Sequence, residues 1–244
     1  MRLAAVILFL TAGWAAPAAA QDMGTVLPQN YVLSDILNRQ RIEASIGAPI
    51  DRPAPRPAKN AVAAAPTAMT VTGYRPSPAV SARVRRQFAS WMGGKVGAAD
   101  AARLAATMGK TDPVQNWAQL VANDGLRTND MADALTAYWI LNWAMANTAD
   151  NNRAQVLGVR NQVRAMLAAN PAQLRMGEAQ RQEFSEILIL NFLIQHAAFD
   201  DAIRRGDRAL MRRLGDAAAA RFQGEMGVDL RRLRLTDTGF VPIR

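Results

Sequence analysis

The run NDMADALTAYWILNWAMAN at residues 129–147 decides the fold. Asn129, Asp130 and Asp133 are the residues that cap a helix and match its positive N-terminal end. Beyond Ala134, the side chains of Leu135, Tyr138, Trp139, Ile140, Leu141, Trp143 and Met145 cannot all point one way. A helix that is apolar all round belongs in the middle of a protein. A second stretch, from Glu178 to Arg205, repeats the pattern with Ile187-Leu188-Ile189-Leu190 and Phe192-Leu193-Ile194. Charged or amide residues interrupt each stretch before about 18 apolar positions accumulate, so neither reads as membrane-spanning.

Amphipathic helices flank these two. Ser77-Pro78 is a cap with proline at the first helical position, followed by Val80, Val84, Phe88 and Trp91 as one stripe and Gly93-Gly94 as a stop. A helix from Ala98 to Met108 follows. Asp112-Pro113 repeats the cap signal before Val114, Trp117, Leu120 and Val121, and Gly125 stops that helix. Asn152 to Ala169 is amphipathic and broken by Asn170-Pro171, and Asp207 caps a last helix reaching Gln223. Leu233 and Leu235 then alternate with Arg232, Arg234 and Thr236, and Asp237-Thr238-Gly239 is turn chemistry, which predicts a short extended segment tucking Phe240 and Val241 against the helices. The expected fold is all-α: one bundle-like domain of about six or seven helices around two central apolar ones, over residues 74–244.

The N-terminal third is different in kind. Arg2, the apolar stretch Leu3 to Ala16 and the small residues Ala18-Ala19-Ala20 have the form of a signal peptide cleaved near Ala20–Gln21, which predicts export to the periplasm or beyond. Residues 21–73 carry Pro28, Pro49, Pro53, Pro55, Pro57 and Pro66 in an Ala-rich background that favours extended backbone. Inside it, a short helix at 34–45 with Ile36, Leu37 and Ile42 on one side either docks on the domain or binds something else.

The quoted run has a wider resemblance. Trp117-Ala118-x-Leu120, Asp124-Gly125-Leu126, Asp130-x-Ala132-Asp133-Ala134-Leu135 and Ala137-Tyr138-Trp139-x-Leu141-Asn142-Trp143 form one dense block. With the tail Leu233-Arg234-Leu235-Thr236-x-x-Gly239-Phe240, it resembles a family of exported bacterial proteins of unknown function, over about residues 74–244. The resemblance implies a signal peptide and a helical domain, and it carries over no catalytic residue.

Composition excludes much of the remaining chemistry. Among 244 residues there is no Cys and one His, which removes disulfides, thiol nucleophiles, zinc ribbons, lipid-modified cysteine and multi-histidine metal centres. No G-x-S-x-G, H-E-x-x-H or G-x-G-x-x-G occurs, and no cofactor is predicted. Gly109-Lys110-Thr111 lacks the first glycine of a phosphate loop, since Leu104 stands there. Glu183-x-x-Glu186 has no accompanying E-x-x-H, and the oxygen-rich loop Asn123–Asp133 reads as capping in place of a calcium loop. Arg205-Gly206-Asp207 reads as a helix break and cap.

Polar residues inside the central helices are Asn142, Asn191, Gln195 and His196. His196 and Asp200 are four apart, so the carboxylate is positioned to orient the imidazole as a general base in a small cell-wall- or lipid-acting enzyme. The competing reading is a buried, internally satisfied network. The net charge is +9. Arg83 and Arg86 lie in an acid-free run from Arg75 to Lys95, and Arg204, Arg208 and Arg212 flank the start of the last helix. Export and the lack of interleaved aromatics argue against nucleic acid. The expected partner is an envelope protein or an anionic envelope surface, and the leading expectation is a non-enzymatic binding or scaffold module.

Overall fold

The computed structural model describes residues 72–169 and 175–243. The leader expected at 1–20, nearly all of the Pro/Ala-rich segment and the helix expected at 34–45 lie outside those residues. The described part is all-helical apart from a short C-terminal hairpin. Its helices are α1 (Pro78–Val96), α2 (Ala98–Lys110), α3 (Pro113–Val121), α4 (Met131–Asn147), α5 (Arg153–Ala168), α6 (Glu178–Arg205) and α7 (Arg208–Met226).

The caps are chemically specific. The Asp112 carboxylate accepts from Val114 N, Asp130 accepts from Ala132 N and Asp133 N, and Asp207 accepts from Leu210 N. Asn152 and Gln155 form a reciprocal capping box at the start of α5. At α1 the side chain of Ser77 makes no cap bond. Its backbone is held instead by the Gln182 amide, which accepts from Ser77 N at 2.8 Å and donates to Ser77 O at 2.9 Å. The stop expected at Gly93-Gly94 does not occur: α1 runs on to Val96 and ends at Gly97, whose N–H bonds Gly93 O. A glycine inside a helix costs only about 1 kcal/mol, which packing overrides. The buried stripe of α1 is Val80, Val84, Phe88 and Met92, with Trp91 only partly buried.

The two apolar helices are central. Residues Met131 to Trp143 of α4 are all buried, and α6 is buried from Gln182 through Phe192. The main core joins α4 to α3, α5, α6, α7 and the hairpin. A second cluster sets Val84, Phe88, Met92, Leu104 and Met108 of α1 and α2 against Ile187, Leu190 and Ile194 of α6. A third packs Ala198 and Ala202 against Leu210 and Leu214 across the α6–α7 corner. The helices α4 and α7 run antiparallel, since Gly215 lies against Met145 while Phe222 stacks near Tyr138 at 5.8 Å. A Cβ at Gly215 would stand 2.5 Å from Met145 O, so only glycine allows that approach.

The alternation read at the C-terminus becomes an antiparallel hairpin, β1 (Leu233–Thr236) and β2 (Gly239–Pro242). Leu233, Leu235 and Phe240 face inward and are buried, whereas Val241, expected to tuck in beside Phe240, pairs with the exposed Arg234 on the opposite face because successive strand residues alternate. Phe240 sits 5.2 Å from the Trp139 ring and 6.1 Å from that of Trp143. Helix side chains bond several outward backbone groups of both strands. Trp143 Nε1 donates to Leu233 O, Gln155 Nε2 to Leu235 O, and the Gln162 amide bonds both N and O of Phe240.

Candidate functional site

Three polar groups are buried where the helices converge. In the first, the α4 cap Asp130 and the next-turn Asp133 share one guanidinium. Arg164 Nη2 of α5 lies 2.7 Å from Asp130 Oδ2 and 2.9 Å from Asp133 Oδ1. Asp133 is fully buried, and the other two are nearly so. Burial pushes the Asp133 carboxyl above the usual range and the neighbouring Asp130 adds to this, while Arg164 and the Arg127 N–H oppose it. Arg127 approaches both carboxylates at 3.8 Å from a half-exposed position.

The second group clamps the segment that enters α1. Gly73 bridges to Asp130, Tyr74 N donates to Asn129 O, and Arg181 Nε donates to Gly73 O at 2.8 Å. Ser81 Oγ donates to Glu186 Oε1 at 2.6 Å, and Gln182 Nε2 donates to the same oxygen at 2.8 Å. Burial pushes the Tyr74 phenol far above its ordinary value, against a hydrogen bond with Ser185. The Ser185 hydroxyl donates to Arg181 O at 2.7 Å. Its proton is spent on a carbonyl, with no base placed to take it. The third group pairs Arg221 Nη1 with Asn142 Oδ1 at 2.6 Å, while Asn142 Nδ2 donates to Tyr138 O. These groups tie helix to helix, and each is occupied with its neighbours.

The residues singled out from sequence fall elsewhere. His196 is half-buried and stacks on Phe192 at 5.5 Å and 15°. Asp200 Oδ2 lies 3.1 Å from Arg204 Nε in an ion pair, and its charge also acts on the His196 imidazole. Asn191 Nδ2 donates to Ile187 O, and both amide atoms of the fully buried Gln195 lack a hydrogen-bond partner among the described residues. Arg83 bonds Glu183 at 3.2 Å, which with the Ser81–Glu186 bond sends the two carboxylates of Glu183-x-x-Glu186 to different partners. Arg204 reaches Asp200 and Asp201, and Arg205 pairs with Asp201. Arg86, Arg208 and Arg212 are exposed. Sequence reasoning treated Asp130 and Asp133 as capping acids and passed over Arg164, because an arginine on an amphipathic helix ordinarily faces water.

The imidazole carries a testable pH dependence. Burial lowers its pKa below the ordinary 6.5, and the charge of Asp200 opposes this. The unfolded chain takes up a proton at 6.5 that the folded protein accepts only at lower pH. Folded stability therefore falls as pH drops through that window, and the loss is complete below the folded value. His196→Gln is expected to flatten the fall in thermal midpoint between about pH 7 and pH 5. An unchanged slope would assign that dependence to other groups.

The sequence profile of one family matches residues 1–242. The chain belongs to DUF6683, a family of unknown function. The DUF6683 match extends through the N-terminal segments, a wider span than the 74–244 on which the resemblance was read. No match was found among curated proteins or among solved structures. Among the described residues, no helix is long and apolar enough to cross a membrane, and no three His, Asp or Glu stand together as a metal site.

Proposed function

We propose that this DUF6683 protein is a non-enzymatic binding module of the cell envelope, exported through its first 20 residues and released near Ala20–Gln21. Its contact surface is the arginine-rich outer face of α7. One observation carries this reading: Arg208, Arg212 and Arg213 are exposed and have no ion-pair or hydrogen-bond partner among the described residues, whereas Arg204 and Arg205 next to them are neutralised by Asp200 and Asp201. Arg208 and Arg212 are one turn apart on a single stripe. One turn further, Asp216 holds Arg231, which brings the base of the hairpin into the same band. Uncompensated guanidiniums at a surface attract anionic partners and steer their approach.

The test is crosslinking in cells that express the tagged protein, followed by denaturing purification and mass spectrometry. One recurrent envelope component is expected with the parent chain and is expected to be lost from the Arg208→Gln, Arg212→Gln, Arg213→Gln triple variant. His196→Gln should retain it. Equal recovery from parent and triple variant would refute the contact surface.

A further inference from the structure

The hairpin has an outer face, and its register fixes what stands there. Arg234 pairs with Val241, and the bond from Ile243 N to Arg232 O at 2.8 Å sets Arg232 opposite Ile243. Directly opposed residues of an antiparallel pair share one face. That face therefore alternates guanidinium with branched aliphatic: Arg232 beside Ile243, Arg234 beside Val241. Both arginines are exposed, and neither guanidinium has a partner among the described residues. Ile243 is 53% exposed, one of two large apolar side chains so exposed among the described residues. The strands contain no acid: Asp237 lies in the turn, and Asp229 caps the short turn Leu230–Arg232.

An added strand finds little free backbone here, because the outward carbonyls of Leu233 and Leu235 and both outward groups of Phe240 are already bonded by Trp143, Gln155 and Gln162. Recognition must pass through side chains. Guanidinium forks match phosphate oxygens. Aliphatic side chains at the same level suit the boundary between headgroups and acyl chains, where cationic and apolar groups bind together. The face also continues through Arg231 into the band on α7.

We infer that the outer face of the hairpin seats on an anionic phospholipid surface, with Arg232 and Arg234 on lipid phosphates and Ile243 and Val241 at the headgroup boundary. This rests on the reading of the chain as an envelope-binding module and names the component bound.

The experiment is co-sedimentation of the full chain with vesicles of phosphatidylglycerol and, separately, of phosphatidylcholine, over a range of salt. Every variant keeps residues 1–20, whose apolar contribution is common to both vesicles, so the readout is the difference between phosphatidylglycerol and phosphatidylcholine. Phosphatidylglycerol vesicles are expected to bind more tightly than phosphatidylcholine vesicles, by a margin that shrinks as salt rises. The Arg232→Gln, Arg234→Gln variant should bind about thirtyfold more weakly. Ile243→Ser should also reduce binding, and neither variant should shift the thermal midpoint, because the hairpin is held by its inner face. Equal binding by parent and double variant, or no binding to either vesicle, would overturn the inference. If vesicle binding fails while the crosslinked component still depends on the α7 arginines, the envelope-module reading stands and the lipid is wrong. If both fail, both readings go.

Discussion

Replacing Gly158 with alanine is expected to lower the thermal midpoint by roughly 6–12 °C, about 3 kcal/mol, although alanine is the better helix former. At a solvent-facing position inside a helix, the exchange would ordinarily stabilise by about 1 kcal/mol. Here the new Cβ would stand 2.3 Å from Asp237 O and 2.7 Å from Gly239 N. Both are backbone atoms of the hairpin turn, so no side chain can swing aside. The hairpin must lift, and with it Phe240 leaves Trp139 and the Gln162 amide loses both its bonds. The measurement is thermal denaturation, with amide exchange at Phe240 as the local readout. A stabilised Gly158→Ala protein with slow exchange at Phe240 would show that the hairpin does not depend on this contact.

The second large effect is at Arg164. Arg164→Met is expected to cost about 3–5 kcal/mol in urea denaturation, because it strands two buried carboxylates. Asp133 has no route to water, and its carboxyl already sits above the usual range with the guanidinium present. Adding Asp133→Asn to the Arg164→Met protein should recover part of the loss, since the remaining carboxylate, Asp130, still caps α4. A coupling between the two positions of at least about 1 kcal/mol is the signature of the shared site. Additive losses, or a single-variant cost below about 1 kcal/mol, would mean that water or Arg127 replaces the guanidinium.

These two positions also mark where sequence stops being readable. The centrality of α4 and α6 was legible because an all-round apolar helix has one place to go, and the caps at Asp112, Asp130 and Asp207 were legible because capping is a local bond. The inward Leu233 and Leu235 followed from alternation alone. Arg164 was not legible: its partners lie 31 and 34 residues away, and nothing on α5 separates it from a solvated arginine. Gly158 likewise looks like any helical glycine until the turn at Asp237 is placed against it. The Gln182 clamp on Ser77 spans 105 residues, beyond any periodicity. At Gly93-Gly94 the local stop signal was legible, yet the helix runs on to Val96. The surface arginines were visible as charge, but their pairing depended on which acids the helix ends brought near.

The bond between Trp143 and Leu233 joins residues 90 positions apart, and it closes the main core with the hairpin. At synthesis rates of about 5–20 residues per second, Trp139 and Trp143 wait roughly 5–20 s after emerging before their cover exists. Until then the most apolar helix of the protein has an open aromatic flank, and a chain cut short before Leu233 keeps it open. A product that stops before the hairpin therefore carries an exposed tryptophan surface that one reaching past Phe240 conceals.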